Sequence, residues 1–366
     1  RIRGSKLMIK YKTHLDKINR KDTLIDKSKY KWRLDQSERI SEYSDKFFTN
    51  FINTLTDTDF ICYPYVKQLK QKLAKHHNIN EVDNIFLTPG SDIAIRTMFD
   101  LCVTENSEVL TTNPCFPMYD VYCKLYNAEL KSVNYDKNLT WNIDYVMKNI
   151  TDKTSLIIIA NPNNPIGDYK KPSELDELFR YTQKKGIPVL IDEAYVQFIP
   201  NNYETCITKG FEFNNVVTCR TFSKALGAAG VRIGYMITNT SFMEKIKKWR
   251  LMFEVTGISA KFGCYILDNY IEVEKYINST NTEKDLLVNE LSKKYDIISS
   301  HCNWIHVNDE NDNKFICSVL DKYSDVTYKA GTSIPYDDRI NWLRMTVGPE
   351  ILKTDFIKEI LRKEIK

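Results

Sequence analysis

Residues Ser155 to Ala160 read S-L-I-I-I-A, and Ile187 to Ile191 read I-P-V-L-I. Runs this apolar and β-branched belong to strands buried on both faces, which requires a sheet covered on both sides. The flanking sequence alternates to match. Asn84 to Thr88 reads as a strand, and Ile93, Ile95, Met98, Phe99 and Cys102 give a helical period after it. Val109 to Thr111 then reads as a strand, Phe116 to Tyr126 as a helix, Glu129 to Val133 as a strand and Tyr145 to Ile150 as a short helix. Ser173 to Thr182 reads as a helix and Val216 to Cys219 as a strand. This βα rhythm predicts an α/β fold with a mostly parallel central sheet. Ligands on such sheets bind beyond the carboxyl ends of the strands. Asn164, Asp192 and Lys224 each follow a strand, so one cleft can collect all three.

The flanks read differently. Arg1 to about Asp26 is charged and lacks apolar periodicity, so residues 1–30 are taken as tag, linker or poorly ordered chain. Trp32 to Arg39 is extended, a helix follows from Asp45 to Leu55, and Tyr63-Pro64-Tyr65 leads into a helix carrying Val66, Leu69, Leu73 and Ala74. Beyond Tyr235 the pattern predicts helices at Ser241 to Phe253, Ala260 to Tyr276 (a long one) and Glu283 to Lys294. Strands near Ile297 and at Trp304 to Val307, a helix at Lys314 to Tyr323 and a strand at Asp325 to Lys329 come next. Tyr336 to Asp338 reads as a turn, Ile340 to Val347 as a strand and Glu350 to Arg362 as the last helix. The expected division is therefore an arm at 31–60 belonging to a smaller α/β domain, a large domain at 61–250, and the rest of the small domain at 251–366.

A formal charge of +4 over 366 residues, with scattered lysines, gives no nucleic-acid footprint. No apolar run reaches the roughly 20 residues of a bilayer span. The polar, basic start offers no apolar core of a secretory leader. Nine cysteines without C-x-x-C spacing or a Cys/His cluster predict reduced thiols in a cytoplasm, and neither a disulfide framework nor a metal site. His76-His77 sits in a lysine-rich helical stretch and reads as surface.

The chemistry concentrates in Arg220 to Tyr235, R-T-F-S-K-A-L-G-A-A-G-V-R-I-G-Y. Lys224 stands among small residues, with the hydroxyls of Thr221 and Ser223 beside it and Arg232 eight residues on. Alone, such a lysine reads as a solvated surface residue. With phosphate donors on both sides, it suits condensation with a phosphorylated aldehyde. Gly90-Ser91-Asp92 opens a helix after a strand, where free amides and the positive dipole end accept an anion; capping by Ser91 or Asp92 is compatible with that.

Three ordered segments, the lysine run, N-P-N-N-P-I-G from Asn161 to Gly167 and I-D-E-A-Y from Ile191 to Tyr195, resemble the pyridoxal-phosphate-dependent class I/II aminotransferases of fold type I. The similarity extends from about Lys31 to the C-terminus and is nearest the histidinol-phosphate aminotransferase branch, with the threonine-phosphate decarboxylase type beside it. The resemblance implies the cofactor pyridoxal 5'-phosphate, held by Lys224 at its aldehyde and by Asp192 at its protonated ring nitrogen. It implies Asn164 and Tyr195 as donors to the phenolic oxygen, Phe116 stacked on the ring, and Thr221, Ser223, Arg232 and the amides of Ser91 and Asp92 around the phosphate. It further implies a homodimer with shared sites, in which Tyr63 reaches the neighbouring subunit's cofactor phosphate. W-L-R-M-T-V-G from Trp342 to Gly348 matches the family's L-R-I-T-V-G, making Arg344 the ligand of a substrate carboxylate or phosphate.

Two departures bear on substrate. The arm reads Ser37-Glu38-Arg39 where the family has N-E-N, and Lys329 stands where histidinol-phosphate enzymes carry an arginine. Lysine is a point charge and arginine a fork, so that exchange is not conservative. The combined expectation is an aminotransferase using glutamate or a similar donor and a small second substrate bearing a phosphate or phosphonate, other than histidinol phosphate itself, with Arg39 and Lys329 helping to hold that anion. A decarboxylase of a phosphorylated amino acid shares the same residues and stays open as the alternative.

Overall fold

The computed structural model describes residues 10–19, 26–200, 203–308, 314–332 and 342–362. Its strands are β1 (Trp32–Arg33), β2 (Ile85–Thr88), β3 (Glu108–Asn113), β4 (Glu129–Asn134), β5 (Thr154–Ala160), β6 (Val189–Asp192), β7 (Val216–Thr221) and β8 (Gly234–Ile237). β9 (Asp296–Ser299), β10 (Trp304–Asn308), β11 (Val326–Thr327), β12 (Lys329–Thr332) and β13 (Trp342–Thr346) follow. The large sheet runs β2-β8-β7-β6-β5-β3-β4. From β7 to β4 every pairing is parallel, and β8 alone runs against its neighbours. β7 and β8 are joined by the glycine-rich lysine loop, which has no crossover helix to return the chain, so the next strand is antiparallel.

The apolar runs behave as their composition requires. Leu156, Ile158, Leu190 and Val217 point to one face and pack with Ile95, Met98, Phe99, Tyr119 and Phe242. Ile157, Ile159, Val189 and Ile191 point to the other, against Leu175, Leu178, Phe179 and Val146. Alternate side chains of one strand are thus all buried, each against a different helix layer.

The second sheet, β12-β13-β10-β9, is antiparallel. Ile305, Val307, Leu343 and Met345 face its own helices, with Ile316, Val319, Phe356, Ile357 and Ile360. The opposite face turns toward the large sheet: Trp304 stacks edge-on against Tyr195 at 4.6 Å, and its indole Nε1 donates to the Pro165 carbonyl at 3.0 Å. The arm belongs to this half, since β1 pairs in parallel with β11 and Thr346 N donates to Leu34 O at 3.0 Å.

Several element bounds differ from the sequence expectation. The helix expected at Ser241 to Phe253 is Thr240–Ile246 with a short 3-10 turn to Trp249, after which Arg250 turns extended. The expected helices at Ala260 to Tyr276 and Glu283 to Lys294 are instead Gly257–Asp268 and one 21-residue helix, Ile271–Leu291. Asn269 breaks the first by bonding its side chain back to the Tyr265 carbonyl, whereas nothing between Tyr276 and Glu283 interrupts the second. The single strand expected at Asp325 to Lys329 is two, β11 and β12, serving different sheets. The Tyr336 to Asp338 turn lies outside the described residues. Within the stretch read as linker, Thr13–Lys17 forms a 3-10 turn, and the His14 ring meets the Leu125 carbonyl at 3.0 Å.

Candidate active site

Ser91, Phe116, Asn164, Asp192, Tyr195 and Lys224 line one cleft with Ala160, Pro162 and Ala194. Asn164 and Asp192 follow the carboxyl ends of β5 and β6, and Lys224 follows β7, so three adjacent parallel strands deliver the three side chains. Lys224 is half-buried between the buried residues Ser223 and Ala225. Its Nζ donates to the Gln36 carbonyl at 2.8 Å and lies 5.3 Å from the centre of the Tyr195 ring.

Asp192 is buried at the end of β6. Its Oδ2 accepts from the Tyr119 hydroxyl at 3.1 Å and its Oδ1 from the Ala194 amide at 3.1 Å. Burial pushes this carboxyl up to about 6, against the pull of these donors, the Cys219 thiol and Lys224. A carboxyl that holds its proton more tightly folded than unfolded contributes stability below its ordinary value of 3.8 and loses it as pH rises through about 6. In the cofactor-free protein, the stability difference between wild type and Asp192→Asn is therefore expected to fall by up to about 3 kcal/mol between about pH 4 and about pH 6. Urea unfolding at a series of pH values measures it, and a flat difference would remove the assigned burial cost.

The phosphate-type donors also meet. Thr221 Oγ1 donates to Ser223 Oγ at 2.9 Å, and Arg232 reaches Ser223 Oγ at 3.4 Å and the Pro89 carbonyl at 3.3 Å. Arg232 adopts a left-handed backbone at φ 56°, a conformation that costs energy outside glycine and collects at functional sites. The helix Ser91–Cys102 has Gly90 as N-cap and no side-chain hydrogen bond on its first amides, which leaves them available to an anion. Gly90 sits at φ +84°, and a Cβ there would meet Arg232 Nη2 at 2.6 Å. A Cβ on Gly234 would collide with the Gly90 backbone. Arginine, hydroxyls and free amides packed this closely fit a phosphate, and a buried carboxylate across the same cleft fits a protonated ring nitrogen.

Arg344, on the face of β13 turned to the cleft, donates from Nη1 to Asn164 Oδ1 at 2.7 Å and from Nη2 to the Asp35 carbonyl at 3.0 Å. Asn164 thereby keeps its amide N–H groups free to donate into the cleft. Lys329 is exposed and stands directly opposite Arg344 across the β12–β13 ladder, on the same face of the sheet. Asp92 presents its amide in the same helix turn as Ser91, while its own carbonyl accepts from Tyr122 at 3.3 Å.

Tyr63 and Arg39 stand apart from these groups. Tyr63 is 80% exposed and stacks on Phe253 at 4.4 Å, pointing outward. Arg39 is half-buried between two tyrosine rings, 4.0 Å from the centre of Tyr43 and 4.3 Å from that of Tyr276, and burial lowers its pKa. Its Nε donates to the Ser41 carbonyl at 3.1 Å, and its Cδ lies against Gly227 of the lysine loop. The geometry gives Arg39 a packing task. Arg39→Ala is expected to lower the unfolding free energy by about 1–3 kcal/mol, for two cation–π contacts, and to leave substrate preference unchanged. A shifted preference at unchanged stability, read from kinetics and denaturation together, would return it to the anion site.

The sequence reading missed Tyr119 and the carbonyls of Asp35 and Gln36. Tyr119 follows Phe116 by three residues at the start of a helix, a spacing that could have flagged it; main-chain carbonyls carry no residue signal. A larger cleft, about 820 Å³, lies elsewhere and is lined by His76, His77, Tyr203, Arg220 and Tyr270 among others. Its strongest charge is already neutralised, because Arg220 is paired with the buried Glu193 at 2.8 Å.

Fold and cleft together fit a pyridoxal-phosphate-type transferase: a mostly parallel sheet presents a lysine and an aspartate at its strand ends, and a second, antiparallel sheet brings an arginine to Asn164. Residues 50–356 match the family model for aminotransferase class I and II, and the chain belongs to that family of pyridoxal-phosphate-dependent enzymes. Among its relatives, the histidinol-phosphate aminotransferase of Clostridium novyi (strain NT) is 29% identical over 329 residues, covering 87% of this chain and 88% of that one. The histidinol-phosphate aminotransferase of Methanocaldococcus jannaschii is 31% identical over 231 residues, covering 63% and 61%. The same fold is seen in histidinol-phosphate aminotransferase from Sinorhizobium meliloti in complex with pyridoxal-5'-phosphate, at TM-score 0.80, 18% identity and coverage of 97% of this chain and 96% of that one. L-threonine-O-3-phosphate decarboxylase from Porphyromonas gingivalis shares it at TM-score 0.72, 17% identity and coverage of 91% and 100%.

Proposed function

We propose that this aminotransferase moves an amino group between a donor such as glutamate and a small substrate bearing a phosphate or phosphonate. The observation that carries the reading is the pair of cations on the inner face of the small sheet, Arg344 held toward the cleft by Asn164 and Lys329 directly opposite it. One cation serves the carboxylate every amino acid donor carries, and the second has a use when the partner substrate is also anionic. The names borne by the curated relatives support the same substrate class.

Bound pyridoxal phosphate supplies an aldehyde for amines and an electron sink for the charge left when a bond to the substrate Cα breaks. The chain supplies the rest. Ser91, Thr221, Ser223 and Arg232 would hold the phosphate, Phe116 would offer a face to the ring, and Asn164 and Tyr195 would donate to the phenolic oxygen. Asp192 would keep a proton on the ring nitrogen. Lys224, whose amine reaches into the cleft between the Tyr195 ring and the Gln36 carbonyl, would hold the aldehyde and serve as the base that carries the proton. The carbonyls of Asp35 and Gln36 tie the arm to Arg344 and Lys224.

Tyr63, Ile61, Tyr65 and Met252 are exposed around the Tyr63–Phe253 stack. In our reading a second copy of the chain covers this apolar surface and receives Tyr63 at its phosphate site. All nine cysteines are free thiols and, among the described residues, no helix is long and apolar enough to cross a membrane, which supports an enzyme of the reducing cytoplasm.

Incubation with glutamate or histidinol phosphate tests the reaction: keto products without carbon dioxide are expected, and carbon dioxide release from a phosphorylated amino acid would replace transamination by decarboxylation. Arg344→Ala is expected to weaken both half-reactions by about ten- to a hundredfold in affinity, the cost of one charge-assisted contact. Lys329→Ala is expected to weaken the phosphorylated substrate more than glutamate. Equal losses on both substrates would leave the phosphate assignment without support.

A further inference from the structure

We infer that Tyr119 is a positioning residue that keeps Asp192 ionised and aimed at the cofactor's ring nitrogen. The inference rests on the proposed role of Asp192. Tyr119 is fully buried at the start of the helix Met118–Leu125, and its hydroxyl donates to Asp192 Oδ2 at 3.1 Å. Its ring also meets Phe116 edge-on, with centroids 5.7 Å apart and planes at 84°. One side chain therefore touches both walls of the ring site, the carboxylate at one edge and the aromatic residue at the face.

The chemistry requires such a donor. An ionised carboxylate out of water is costly unless hydrogen bonds replace the lost hydration. Burial drives Asp192 toward its protonated form, and a protonated carboxyl cannot pair with a protonated ring nitrogen. The Ala194 amide occupies Oδ1, and the Tyr119 hydroxyl donates to the second oxygen, a stronger donor than the neighbouring Cys219 thiol. Burial raises the Tyr119 phenol well above its ordinary value, so it retains its proton and stays a donor wherever Asp192 is charged. Neither role falls to Phe116, which has no polar atom.

Tyr119→Phe removes the hydroxyl and keeps the ring contact. The full-length protein, freed of cofactor, is titrated with pyridoxal phosphate and with its 1-deaza analogue, in which a C–H replaces the ring nitrogen. Wild type is expected to prefer pyridoxal phosphate. Tyr119→Phe should weaken pyridoxal phosphate by about tenfold and change the analogue by less than about twofold. Equal weakening of both ligands would mean a merely structural role and overturn the inference, as would a preference unchanged from wild type. A wild type that fails to distinguish the two ligands would overturn the Asp192 role and this inference together, which separates the two failures. Fluorinated tyrosines at position 119 give a second series should Tyr119→Phe not fold: the preference is expected to rise with phenol acidity, and a flat series overturns the proposal.

Discussion

Lys224→Ala is expected to lose turnover by about 10⁴-fold or more, the upper end for one proton-handling group, because in the proposed function this residue is also the amine that condenses with the cofactor. The side chain extends from the β7–β8 loop into the cleft, between the Tyr195 ring and the Gln36 carbonyl. The loop is held from below by the buried Phe222, Ala225 and Leu226, so removing the lysine leaves its frame in place. Lys224→Arg separates chemistry from positioning: arginine keeps the charge and can still reach a carbonyl, yet has no amine to condense. Both variants are expected to fold, to bind cofactor that borohydride no longer fixes to the chain, and to recover part of their activity with small added amines. Normal single-turnover rates in either variant would remove Lys224 from the reaction.

Asp192→Ala is expected to slow proton removal from the substrate Cα by roughly 10²–10⁴, with the fold intact. The reason is electrostatic. A carboxylate inside the protein stabilises a neighbouring cation far more than one in water does. Its substitution by alanine also leaves the Tyr119 hydroxyl buried without its acceptor. Deuterium at Cα should show a larger isotope effect in the variant, as bond breaking comes to limit the rate. An unchanged single-turnover rate would show that the ring nitrogen depends on something else.

The sequence carried the large sheet clearly because β5 and β6 must bury both faces, which calls for a parallel sheet covered by helices. The residues around the cofactor site were legible for a related reason: Asn164, Asp192 and Lys224 each follow a strand whose direction was already known. What stayed hidden depends on contacts distant in sequence. The sequence shows the charge of Arg39, but only the arrival of Tyr276 from a remote helix encloses it. The helix Ile271–Leu291 has no glycine or proline to mark its bounds, and its buried face is interrupted midway by the polar Thr280 and Lys284. The Lys284 ammonium is accommodated there by two main-chain carbonyls, those of Ser300 and Cys302, both at 2.7 Å.

The way the arm is fastened sets the order in which a working enzyme can be assembled. Leu34 and Ser37 bond to Thr346, and Asp35 to Arg344, so an early segment of the chain is stitched to one of its last strands. Closing so long a loop is slow, since its entropy is lost before these few contacts repay it. During synthesis the large sheet and Lys224 leave the ribosome well before β13 does. A nascent chain stalled ahead of Trp342 would carry the lysine and the phosphate cup, yet would have neither the substrate arginine nor a seat for the arm. On the proposed function, cofactor capture at the large sheet can therefore precede competence for substrate, which waits for the emergence of β13.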